Sequence, residues 1–398
     1  WSSDVCSSDL PNDKLKRWHD MFNAGPDQSS RAMAEMIDFA GSPEAKDLAD
    51  PKKVAEQTAS LWAKHIKTVE SYNEPGKFTA FFGFEYTLMP NGNNLHRVVM
   101  FRDGPDKVGK VQPFTTVQGD RPEALWDYMD AYERNQHGRV LAIPHNSNVS
   151  NGLMFELTGA GGGPMTAAEA RRRAAHEPVV EITQIKGDSE AHPFLSPSDE
   201  FAGFGVTGWD KANLNAKQPT TPAMYGGNYV REALKRGLQI QDRTGQNPYR
   251  FGLIGSTDSH TGLATADENN FFGKHTGNEP TPQGKDRVTP AMDMGTGLGR
   301  FNWQYLAGGY AGVWARGNTR EAIFDAMMRR EVYATTGPRM TVRFFGGWDF
   351  AQADLVGDWV KAGYRRGVPM GGLLKGRGGA VPRFIISALK DPIGANLD

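Results

Sequence analysis

Past the middle of the chain a short apolar run, Phe251-Gly252-Leu253-Ile254, breaks into Gly255-Ser256-Thr257-Asp258-Ser259-His260. On an extended backbone alternate side chains share a face, so Asp258 and His260 are expected to converge on one site while Ser259 points away. A carboxylate oxygen beside an imidazole nitrogen suits zinc, manganese or iron. Two further histidines stand beside expected strands, His96 in Asn94-Leu95-His96-Arg97 and His145 in Ile143-Pro144-His145-Asn146. Glu85 closes the apolar run from Phe78, where an unpaired carboxylate is expensive, so either a metal or an arginine such as Arg97 is expected to satisfy it. Glu85, His96, His145, Asp258 and His260 together can fill the shell of one divalent ion, or serve two ions that share a carboxylate. Glu85, Asp258 and His260 are also the candidate catalytic groups.

A second tier of polar residues surrounds these ligands. Arg97 and Lys186 are candidate contacts for an anionic substrate, with Asn146 and Asn148 beside them, and Lys186 could neutralise a developing oxyanion. The plain alternative for Lys186 is a solvated loop lysine. His192 is an outside candidate, and His65 reads as a histidine packed at the edge of a helix's apolar stripe. His19, His137, His176 and His275 sit in helical or polar loop contexts and read as surface residues. Gly161-Gly162-Gly163 lacks both the preceding strand and the following Lys-Ser/Thr of a phosphate cradle.

The elements that must position these groups follow from periodicity and punctuation. Helices are expected at about Ser30 to Ala40, from Pro51 after an Asp50 cap, from Pro122 to Arg134, from Ala167 to Ala175, and ending near Arg231 to Arg236. Asn318-Thr319-Arg320-Glu321 has the form of a capping box in an asparagine variant and opens a helix from Arg320 to Arg330. Strands are expected at Phe78 to Thr87, at Leu95 to Phe101 after the turn Asn91-Gly92-Asn93-Asn94, at Arg139 to Ile143, at Glu177 to Ile182 and at Phe251 to Ile254. Strand and helix alternating at these intervals predict parallel β/α units, whose functional groups collect at the carboxyl ends of the strands. Gly262 to Arg300 reads as a long loop on that side, and Met340 to Phe345 with Arg383 to Ala388 read as a small β appendage.

Composition narrows the function classes. The 398 residues carry 45 Lys plus Arg against 46 Asp plus Glu, so no global field argues for nucleic acid or an anionic membrane, and a small molecule is the expected partner. No apolar stretch reaches the length of a bilayer span. The one cysteine, Cys6, excludes an intrachain disulfide framework and cysteine-rich metal sites. Residues 1–10, Trp1-Ser2-Ser3-Asp4-Val5-Cys6-Ser7-Ser8-Asp9-Leu10, read as translated adapter DNA rather than native sequence. The natural N-terminus is therefore expected upstream, and the compartment stays open.

The order Gly83-Phe84-Glu85, His96, Ile143-Pro144-His145, Asp258-Ser259-His260 resembles the PHP (polymerase and histidinol phosphatase) superfamily of metal-dependent phosphoesterases. The longer strings Ile143 to Asn148, Gln184 to Glu190, Gly255 to His260 and Glu331 to Arg339 are similar to its domain-of-unknown-function family 3604 (DUF3604) branch, over about Phe78 to Asp398. The resemblance implies an α/β fold, a distorted (β/α)7 barrel with a centre of two or three divalent ions (Zn, Mn or Fe) at its carboxyl-terminal face. On this reading residues 11–76 are a helical N-terminal part, 77–339 the barrel and 340–398 a β-rich extension. Glu85 would bridge two metals, His96 and His145 would complete one shell, and Asp258 with His260 would bind the others. The family's His-x-His on the first strand is absent here, which truncation would explain; metal occupancy of the fragment is then expected to be at most partial, and whether it is active by itself stays open. The implied activity is phosphoester hydrolysis by a metal-activated water. The rivals are a carboxylic ester, lactone or amide hydrolase using the same ligands, and a non-catalytic metal-stabilised binding domain.

Overall fold

The computed structural model describes residues 13–40, 44, 51–260, 274, 290–292 and 296–397. Helices α1 (Asp13–Asn23), α2 (Pro26–Ala40) and α3 (Pro51–Tyr72) lead into strands β1 (Gly83–Tyr86) and β2 (Arg97–Phe101). Then come α4 (Pro105–Val108), α5 (Pro122–Gln136), β3 (Val140–Pro144), α6 (Ala167–His176), β4 (Val179–Gln184), β5 (Gly187–Asp188), α7 (Pro222–Asn228), α8 (Val230–Thr244) and β6 (Gly252–Gly255). The remainder comprises β7 (Pro290–Met292), β8 (Arg300–Phe301), β9 (Tyr310–Val313), α9 (Arg320–Met328), β10 (Val332–Thr335), β11 (Thr341–Gly347), α10 (Trp359–Arg366), β12 (Gly367–Pro369) and β13 (Arg383–Leu389).

The strands that matter for function form one layer made of small sheets. β1, β2 and β3 pair in that order, both pairings antiparallel, while β4 pairs with β6 in parallel and β9 with β10 antiparallel. β3 packs beside β4, and β6 beside β10 and β9. Among the described residues none of these sheets closes on itself. The expectation of parallel units is therefore met by β4 and β6, while β2 and β3 depart from it. The chain between Tyr86 and Arg97 is too short for a crossover, so β2 must reverse, and β3, returning after α5, pairs against that reversed strand.

Alternation along each strand assigns its two faces to two cores. On one side Phe84 and Tyr86, Val99 and Phe101, Val140 and Ala142, Val180 and Leu253 pack with Trp62 of α3 and with Leu125, Ala170 and Val230 of the helices. On the other side Met100, Leu141, Ile143, Val179, Ile254 and Val332 meet Phe324 and Met327 of α9. A residue on a strand thus reports its side by its parity with these neighbours.

Local signals explain where the other elements begin. α6 starts on a true capping box, in which Glu169 N donates to Thr166 Oγ1 at 3.3 Å and Thr166 N donates to Glu169 at 2.8 Å. α9 is capped by Thr319, whose hydroxyl accepts from Ala322 N at 3.2 Å, so the expected Asn318 cap is displaced by one residue. Asn318 instead ties the helix start to the segment before β1, accepting from Thr79 Oγ1 at 2.7 Å and donating to Lys77 O at 3.1 Å. α8 is opened, not closed, by Arg231 to Arg236, because Val230, Ala233, Gly237 and Ile240 continue its buried face until Gly245 stops it in the left-handed region. α3 begins at Pro51 as its proline predicts, while Asp50 and most of 262–300 lie outside the described residues.

The chain ends in a separate layer. β12, β11 and β13 form an antiparallel sheet whose Phe345, Phe350 and Ile385 make their own core with Trp359 and Val360. Trp314 Nε1 donates to Val342 O at 2.8 Å, and Arg343 lies 3.6 Å over the Trp314 ring, joining this sheet to β9. Gly371 makes another join: it sits at φ 76°, and a Cβ there would meet Arg330 O at 2.1 Å.

Candidate metal centre and its lysine neighbours

Glu85 alternates with Phe84 and Tyr86, and therefore points away from the helix-side core. His96, just before β2, shares parity with Met100, and His145, just after β3, with Leu141 and Ile143, which puts both on the same side as Glu85. Antiparallel pairing of β1, β2 and β3 brings the end of β1, the start of β2 and the end of β3 to one edge. There Glu85 Oε1 stands 2.7 Å from His96 Nδ1 and 3.1 Å from His145 Nε2. Among the described residues this trio is the group of three donors whose ligand atoms all lie within 4.8 Å of one another.

Electrostatics favours ligation. Burial opposes ionisation of Glu85, but its interactions with His96 and His145 outweigh that and hold it well below the usual carboxylate range. Burial pushes His96 below its ordinary value, against the pull of Glu85, so a neutral ring is available. Among the described residues the buried His96 Nε2 and His145 Nδ1 have no hydrogen-bond partner, so neither ring is held there at both nitrogens. Two imidazole nitrogens and a carboxylate, with Glu85 still partly open to solvent, fit a Zn, Mn or Fe ion that keeps an open position.

Asp258 and His260 reach the same edge by a different route from the extended one expected. β6 ends at Gly255, where a Cβ would strike Thr335 O at 2.7 Å and Tyr310 O at 2.9 Å, and Asp258 adopts a left-handed φ of 54°. The pair is therefore set by a turn rather than by strand alternation. Asp258 Oδ2 accepts from Gln184 Nε2 at 2.8 Å, from Lys274 Nζ at 2.8 Å and from Lys186 Nζ. His260 Nδ1 lies 3.7 Å from Asp258 Oδ1, 3.0 Å from the Asp258 carbonyl oxygen and 3.0 Å from Lys274 Nζ. Burial first, then Lys274 and Lys186, push His260 down to about 3. Burial lowers Lys274 to about 8, and burial with the neighbouring Lys274 pushes Lys186 well below the usual lysine value.

The other expected contacts divide sharply. Arg97 shares parity with Val99, so it lies on the helix side: its Nε donates to Glu177 Oε1 at 3.0 Å and its Nη1 to Leu95 O at 2.5 Å. Its guanidinium is committed there, and Glu85 is satisfied by the histidines instead. Asn148 is buried and spent on Lys186 O and Ser189 Oγ. Asn146, at φ 50°, accepts from Gln184 Nε2 at 2.7 Å, while its buried Nδ2 has no partner among the described residues. Lys186 is 5 % exposed, which sets aside the solvated loop alternative. His65 stacks on Trp62 at 5.2 Å, and His192 pairs with Asp210 at 3.3 Å away from the trio's ligands. His176, expected at the surface, is buried on Asp130 at 2.9 Å because α6 packs that side against α5. His275 lies outside the described residues.

Three residues of the site escaped the sequence reading. Glu181 shares the parity of Val179, so its side was legible from the strand pattern; it accepts from Asn146 N at 3.4 Å and from Ser256 Oγ. Gln184, beyond the register shift in β4, joins Asn146 to Asp258. Lys274, in a polar segment, carried no local signal.

No curated protein and no solved structure matches the chain. Over residues 5–398 it matches the family described as "Protein of unknown function (DUF3604)", and it belongs to that family.

Proposed function

We propose that this protein is a metal-dependent hydrolase of the PHP type acting on a phosphate ester. The reading takes the strand layer as part of a distorted β/α barrel with its site at the carboxyl edge. The observation that carries it is the convergence of Glu85, His96 and His145 within ligand distance, beside two buried lysines. Those three residues would hold a divalent cation, which when bound lowers the pKa of water and stabilises charge on a phosphoryl group.

The remaining work falls to the chain's own groups. Lys186 faces the same edge and would hold the substrate's anionic oxygens. Asp258, fixed by Gln184 and the two lysines, keeps those ammonium groups in place. His260, with its Nδ1 held by the Asp258 carbonyl oxygen and beside Lys274 Nζ, is read as an orienting group. Glu181 and Gln184 brace the loop carrying Asn146 against the turn at Ser256 to Asp258. Buried lysines favour a phosphate ester over a neutral carboxyl ester, since anionic oxygens take up their charge-assisted hydrogen bonds best.

The test is metal analysis of the purified chain with turnover of phosphomonoesters, phosphodiesters and carboxyl esters, using Glu85→Gln as control. Metal-dependent phosphate release lost in the control is expected. Turnover of carboxyl esters alone would sink the phosphoesterase reading, and bound metal without any turnover would favour the non-catalytic metal-stabilised binding domain.

A further inference from the structure

We infer that the centre holds a single divalent cation, and that Lys186 and Lys274 stand where a second would, forming a two-lysine seat for a tetrahedral oxyanion. The inference rests on the proposed hydrolase reading for the cation itself. It departs from the two or three ions that the family resemblance implies.

The geometry at Asp258 is the ground for it. All three donors converge on one oxygen: Lys186 Nζ, Lys274 Nζ at 2.8 Å and Gln184 Nε2 at 2.8 Å meet at Oδ2. A cation on that oxygen would have to displace two ammonium groups. The other oxygen, Oδ1, has His260 Nδ1 at 3.7 Å, and that nitrogen is already 3.0 Å from Lys274 Nζ. Asp258 and His260 are accordingly absent from the group of three donors that the described residues provide.

The surroundings of the lysines point the same way: Asp258 touches both, and Glu85 and Glu181 act on them from nearby, so the space a second ion would need is taken by the chain's own cationic side chains. Lys186 and Lys274 are 5 % and 8 % exposed, so an oxyanion over them is held out of bulk water, where charge-assisted hydrogen bonds are strongest.

The experiment uses the whole chain loaded with Zn²⁺, with metal content measured after desalting and inorganic phosphate as the probe in calorimetry. One ion per chain is expected, lost in His145→Ala and retained in Asp258→Asn. Two or more ions, the second lost in Asp258→Asn, would overturn the single-cation inference while leaving the hydrolase reading intact. No bound metal at all would overturn that reading and this one together. Lys186→Met and Lys274→Met are each expected to weaken phosphate binding by roughly tenfold or more at unchanged metal content. Lys186→Arg, which keeps charge and donors, is expected to restore most of it and controls for folding. Phosphate affinity unaltered in both methionine variants would overturn the anion seat.

Discussion

Single residues at the strand edge are set by parity and by what each polar atom can find. Glu85 and His96 face the centre because their neighbours Phe84 and Met100 fix opposite sides of their strands. Replacing His96 by Ala should cut divalent affinity by on the order of 100-fold or more, beyond the effect of an outer-shell change. Competition with a fluorescent chelator reads this directly, and an unaltered affinity would remove His96 from the shell. Arg97 makes the opposite case: Glu177 is held by Arg97 Nε at 3.0 Å, by Arg173 Nε at 3.0 Å and by Trp126 Nε1 at 3.2 Å, all in the core. Glu177→Gln should therefore cost about 3–5 kcal/mol in urea unfolding, with metal content unchanged. Burial opposes ionisation of Glu177, yet Arg97 and Arg173 keep its pKa below the ordinary value. Its contribution is thus present above the unfolded-state pKa and lost as pH falls through the lower folded one. In the variant this acid-limb loss should be absent, which unfolding at a series of acid pH values measures.

Among elements, caps and joins decide how the layer is held. Thr319 caps α9, whose Phe324 and Met327 fill the core beneath the site. Thr319→Ala should cost about 1 kcal/mol by thermal or urea unfolding. Asn318→Ala should also destabilise, but through the lost bonds to Thr79 and Lys77, so a double substitution should be close to additive only if the two act on separate contacts. β6 and the turn after it form the other critical join. Gly255 allows the close approach of β9 and β10, and the left-handed Asp258 then swings its carboxylate onto the lysines.

At the scale of the whole molecule, two cores meet across the strand layer and a third belongs to the C-terminal sheet. That sheet is joined to the rest through Arg343 over Trp314, Trp314 on Val342 O and Tyr364 on Glu331, among other contacts. Trp314→Ala should loosen it, removing a cation–π contact of roughly 0.5–2 kcal/mol along with the indole hydrogen bond. Limited proteolysis should then cut faster between β10 and β11, with the site's metal content retained; equal cutting rates would mean that the sheet is held elsewhere. Chelation tests the whole molecule too. A chain kept in free metal at about 100 times the metal's dissociation constant should lose about 2.7 kcal/mol on adding EDTA, readable as a lower melting temperature.

Much of the candidate site was legible in the chain because the residues that converge there are marked by type and by short-range order. Glu85, His96 and His145 could be named from strand ends and histidine contexts, since a period of two and a proline boundary are local properties. Asp258 and His260 were likewise marked by the abrupt change from Phe251-Gly252-Leu253-Ile254 to a polar turn. What only the tertiary structure decided were the partners. Arg97 meets Glu177, eighty positions away, and Lys186 and Lys274 meet over Asp258, because strand pairing and a left-handed turn bring distant segments together. Partner choice is a competition between burial cost and charge satisfaction among non-neighbours, and no local pattern in the chain encodes its outcome.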